Sequence, residues 1–141
     1  MTPLQALLQQ EVEALRAVLA TLQTERAALD ERAPEALLAA SNSKAEAVAR
    51  AARLEQERRE YVEANPGAQT AAVNHLLNEL KKLAAECRQQ NEANGLLIRG
   101  QRRRVEGSLN VLRGGRAGPD TYGRDGETRP IRGPKAPLAS Y

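Results

Sequence analysis

From Leu8 onward the apolar residues Leu8, Val12, Leu15, Leu19, Leu22 and Leu29 fall at alternating spacings of four and three, broken only at Arg26. This spacing draws a leucine stripe along one face of a helix, the seam of a coiled coil. No Phe or Trp is available to fill a deeper core, and aromatic residues make up 2% of the chain. A rod with a thin seam follows, with little from which to line a substrate pocket. The texture then changes near residue 113. Six of the ten glycines and four of the seven prolines lie in the last 29 residues, where a helix cannot persist. The expectation is an all-α domain over residues 1–112, followed by a flexible, disordered Gly/Pro/Arg-rich tail over 113–141.

The same frame extends through Ala33, Ala36, Ala40, Ser43, Ala47, Arg50, Leu54, Glu57 and Tyr61, so the phase survives Pro34 while the side chains shrink. No Ser, Thr, Asp or Asn stands just before Pro34 to cap a new helix. The sequence therefore predicts a first arm over about residues 4–63, kinked near Pro34, with a fresh helix starting at Pro34 as the alternative. Asn65-Pro66-Gly67 is the clearest stop, and the chain should reverse there. A second arm, about 68–112, carries Val73, Leu76, Leu77, Leu80, Leu83, Ala84, Cys87, Leu97, Ile98, Val105, Leu109 and Leu112 before Gly114-Gly115 ends it.

Two arms packed antiparallel about the 65–67 turn would have facing residue numbers summing to roughly 131–133, with Leu112 opposite about residue 20, because both rise ~1.5 Å per residue. Leu4, Leu7, Leu8, Val12 and Leu15 would then project beyond the second arm. An exposed stripe of that length is an interaction surface, for a helix of another protein, the chain's own tail or a second copy. A homo-oligomer therefore stays open, held by Leu4, Leu8 and Leu15.

The formal charge of +3 is unevenly laid out. Residues 1–63 hold 8 Lys/Arg against 11 Asp/Glu, residues 64–112 hold 7 against 4, and residues 113–141 hold 6 against 3. An acidic first arm beside a basic second arm favours their pairing. Arg99, Arg102, Arg103 and Arg104 form a dense basic run that could hold nucleic acid. No aromatic accompanies it for base stacking, which favours a solvated face or pairing with the first arm. Cys87 is the only cysteine, which excludes an internal disulfide, and it reads as a small buried hydrophobe. His75 with Glu79 is too few ligands for a metal. No carboxylate pair sits in a cleft that would tune it for acid–base work. No apolar run is long enough to cross a membrane. The reading is a cytosolic, non-enzymatic protein without cofactor or membrane insertion.

The opening leucines followed by ERAALDERAPEALLAASNSK, with Glu25, Arg26, Leu29 and Lys44, together with CRQQNEANGLLI and the tail segment TYGRDGET, resemble the FlgN family of flagellar type III export chaperones. Asn91, Asn94 and Gly95 match its Asn-x-x-Asn-Gly signature, and Tyr122, Gly123, Asp125 and Gly126 its Tyr-Gly-x-x-Gly element. The resemblance implies an antiparallel helical chaperone that binds the C-terminal helical regions of the hook-filament junction proteins FlgK and FlgL and delivers them to the export gate protein FlhA. It places client binding on Asn91, Asn94, Gly95, Leu97, Ile98, Val105, Leu109 and Leu112. Gate binding falls on Tyr122, Gly123, Asp125 and Gly126. Gly100 and Gly107 depart from the pattern and predict a less continuous second helix.

From the residues themselves two alternatives remain at each of these places. Seam Asn91 and Asn94 could fix register rather than touch a client. The second-arm glycines fit either a labile helix or a close helix crossing. Tyr122 fits either an exposed anchor or a tail folded back on the leucines. A nucleic-acid-binding regulator and a self-assembling coiled-coil scaffold are the alternatives of different class.

Overall fold

The computed structural model describes residues 1–114. Among them are three helices, α1 (Pro3–Glu31), α2 (Pro34–Ala64) and α3 (Ala71–Leu112), and no strand. The Thr2 side chain accepts from the Gln5 amide at 3.1 Å while the Gln5 side chain accepts from the Thr2 amide at 2.8 Å. This capping box, with Pro3 in the first turn, starts α1. Thr70 caps α3 by accepting from the Val73 amide at 3.2 Å.

Pro34 marks a full reversal, where the sequence predicted a kink. Arg32 takes up a left-handed conformation, φ 53° and ψ 48°. Its amide donates to the Leu29 carbonyl at 3.2 Å, and the Ala33 amide donates to the Ala28 carbonyl at 3.0 Å. These two bonds form a Schellman closure made by backbone alone. Ala33 is extended, with φ −105° and ψ 95°, and α2 begins at Pro34 with no side-chain cap. The fresh helix at Pro34, the alternative to a kink, is thus the one formed; no capping side chain signals it, and Arg occupies the place where glycine usually announces such a turn.

The reversal changes the pairing of the whole chain. α1 packs along both α2 and α3, which meet each other little. α1 and α2 are antiparallel, while α3 runs parallel to α1 at an offset of 72 residues. The predicted antiparallel pairing of residues 1–63 with 68–112 is therefore replaced by three helices, although the all-α reading stands. The frame carried through Pro34 also slips. Ser43, Arg50 and Glu57 are exposed, whereas Lys44 and Arg58 are partly buried and Ala51 is buried.

Leu4, Leu8, Val12 and Leu15 lie in the core, not on an exposed overhang, and Leu7 is half-buried. Their partners are supplied by both other helices, which removes the basis for self-association through these leucines. The core is one long cluster in which Leu4, Leu8, Leu15, Leu22, Val18, Val73 and Cys87 are shut off from solvent. α3 continues without interruption through Gly95, Gly100 and Gly107. A side chain at Gly100 or Gly107 would meet open space, so no close crossing requires glycine there.

A non-glycine residue in the left-handed region costs about 1–2 kcal/mol, partly offset by the extra freedom glycine has when unfolded. Arg32→Gly should therefore raise stability by about 0.5–1 kcal/mol, seen as a higher urea midpoint at unchanged slope.

Candidate functional site

The α1–α2 seam is charged at two places and apolar between them. Glu11 grips Arg58 through a two-pronged contact, 2.6 Å to Nε and 3.2 Å to Nη2. Two heptads further along α1, Glu25 meets Lys44 at 3.0 Å. Val18 and Ala51, both buried, lie between them in the same register. Buried ion pairs contribute little net stability, because desolvation offsets attraction, but a shifted register would strand each charge.

Glu25 is 1% exposed and takes donors from both other helices. Lys44 Nζ and Ser41 Oγ reach it from α2 at 3.0 and 3.3 Å, and Asn94 Nδ2 from α3 at 2.9 Å. Lys44 also donates to Asn91 Oδ1 at 3.0 Å. Asn94 is therefore a core residue, as the register-fixing alternative requires. Asn91 is half-buried and turned to Lys44.

α3 is hung on α1 by a ladder at heptad spacing. Cys87 Sγ donates to the Leu15 carbonyl at 3.6 Å, Asn94 Nδ2 to the Leu22 carbonyl at 3.0 Å, and Gln101 Nε2 to the Leu29 carbonyl at 2.9 Å. Cys87 is buried, and that burial, with Glu86 nearby, pushes its thiol up to about 11. A buried thiol so disfavoured as thiolate packs as a small hydrophobe, as the sequence indicated.

Beyond Gln101 the ladder stops. Every residue from Arg102 to Leu112 is exposed. This stretch rises about 16 Å at the usual 1.5 Å per residue. Val105, Leu109 and Leu112 are 57%, 43% and 81% exposed. They share a face with Ile98, which is half-buried like Leu97 and Gly95. With the α1–α2 turn this end of α3 forms an open groove of about 570 Å³, floored by Ala28, Ala33, Pro34, Leu37, Val105 and Leu109. The structure thus brings together Val105 and Leu109 from the sequence-predicted set, with Leu112 beyond them. It buries Asn94 elsewhere. Leu37 and the turn residues were missed because only the reversal at Pro34 carries them to α3. Their one sequence signal was an apolar Leu37-Leu38 pair just after a proline. Tyr122, Gly123, Asp125 and Gly126 lie outside the described residues.

Among the described residues no group of His, Cys, Asp and Glu could hold a metal, and no helix is long and apolar enough to cross a membrane. A model of the FlgN protein family matches residues 1–130. The chain belongs to the FlgN family. FlgN proteins are flagellar export chaperones, a family of chaperones and not of enzymes. No curated protein and no solved structure matches the chain. In this FlgN protein the Glu25, Lys44 and Asn94 hub lies in the locked body of the bundle, apart from the exposed tip of α3.

Lys44→Met would leave the Glu25 carboxylate buried without its countercharge. The loss should be about 3 kcal/mol in urea unfolding. Adding Glu25→Gln should recover part of it, because a neutral amide keeps an acceptor for Asn94 without a stranded charge.

Proposed function

We propose that this protein chaperones the C-terminal helical regions of the hook-filament junction proteins FlgK and FlgL and brings them to the export gate protein FlhA. The observation that carries the reading is the apolar stripe of α3 that continues past its last hydrogen bond to α1. A helix is held in a groove by anchors at i, i+3, i+4 and i+7, and Val105, Leu109 and Leu112 supply that spacing. Ile98 and Leu97 extend the face toward the bundle. Asn91 and Asn94 serve the site indirectly, by holding α3 in register so that its tip stands clear, while Gly95 continues the half-buried face beside them. No cofactor or catalytic group enters the task.

The test is calorimetry of the chain with the C-terminal helical fragment of FlgK or FlgL. Val105→Asp and Leu109→Asp should each weaken binding at least about tenfold, as expected for central apolar anchors. Circular dichroism should show the helix content kept. Unchanged affinity in both variants would place the client elsewhere.

Delivery is assigned to Tyr122, flanked by Gly123, Asp125 and Gly126. A weak contact on the same chain as a bound client gains from local concentration. Tyr122→Ala should leave client affinity within about twofold while reducing FlhA capture and client secretion. Loss of client binding with FlhA capture intact would reverse the assignment.

A further inference from the structure

We propose that the groove between the α1–α2 turn and the last turns of α3 selects an amphipathic helix whose apolar face is flanked by Asp and Glu. The inference rests on the client reading above and specifies the chemistry that the bound helix must carry.

The floor of the groove is apolar, but the charged residues that line it are Arg32 and Arg104, with no acidic side chain among the lining. At about 100° per residue, Arg104 flanks one side of the Val105 stripe while Arg102 and Arg113 flank the other. Among the described residues no ion pair engages Arg32, Arg102, Arg104 or Arg113. Asp30 is held by Arg26 at 3.3 Å, and Glu31 and Glu35 stand outside the lining. Arg102, Arg113 and Glu106 also stand outside it and share one flank of the stripe, which stays net positive. An apolar floor lined by arginine and set between net positive flanks calls for a helix of the opposite rim charge, since a like-charged rim would be repelled.

The same sign disfavours two occupants that the chain itself could supply. A second copy docked groove to groove would set arginine rims against each other. Residues 115–141 carry 5 Lys/Arg against 3 Asp/Glu, again the same sign as the groove. A nucleic acid would answer the arginines but leave the apolar floor unused. The length also fits a helix, since about 16 Å of free α3 spans three turns.

The test uses the full chain and two synthetic amphipathic peptides with an identical leucine face, one flanked by Glu and the other by Lys. At low salt the Glu-flanked peptide should bind at least about tenfold more tightly, and the gap should narrow as salt screens the rims. Arg102→Glu with Arg104→Glu should reverse the preference, with helix content unchanged by circular dichroism. Equal affinities, or binding of neither peptide, would overturn the inference. So would a double-stranded DNA oligonucleotide that competes with the Glu-flanked peptide and is insensitive to Val105→Asp. The client reading itself fails by a separate result, indifference of the FlgK or FlgL fragment to Val105→Asp and Leu109→Asp.

Discussion

The Glu25 carboxylate is the point on which the bundle's register depends. It is buried in α1 yet receives Lys44 and Ser41 from α2 and Asn94 from α3. A carboxylate removed from water needs its donors in place, so a displaced helix strands a charge and not merely a contact. Hydrophobic seams tolerate slippage by a heptad, because one leucine replaces another. Lys44 facing Glu25 and Arg58 facing Glu11 do not, because the residue between them in the seam is apolar on both helices.

Register in turn decides which of the described residues are left exposed. α1 ends at Glu31, and α3 follows it at an offset of 72 residues. The last turns of α3 therefore outrun the bundle, and the apolar groups there face solvent. Gly107 lies in this overhang, where among the described residues only the α1–α2 turn stands beside α3, and it weakens the helix by roughly 0.5–1 kcal/mol relative to Ala.

The two parts of α3 thus behave differently on one continuous helix. From Val73 to Gln101 its inward side chains are buried or bonded to α1, ending with an amide on each of the Leu22 and Leu29 carbonyls. From Arg102 onward it is held only by its own backbone and by the groove's open wall. A chaperone benefits from such a division, because a rigid body holds the exposed end of α3 in place without covering it.

By itself the sequence determined the all-helical class, the stop at Asn65-Pro66-Gly67, the apolar faces of α1 and α3, and the burial of Cys87. Each depends on local spacing or on a residue whose backbone preference is strong, so each is legible without tertiary information. The resemblance carried by Asn91, Asn94 and Gly95 was legible too, though not the burial of Asn94 against Glu25. The tertiary structure alone decided that Pro34 begins a returning helix. The closure at Arg32 consists of two backbone hydrogen bonds around an arginine, a residue that carries no preference for that conformation. Once the chain turned there, the leucines at the start became core and the far end of α3 became free. Partnership among helices is a property of packing, and the stripe that a sequence reveals does not say which neighbour will cover it.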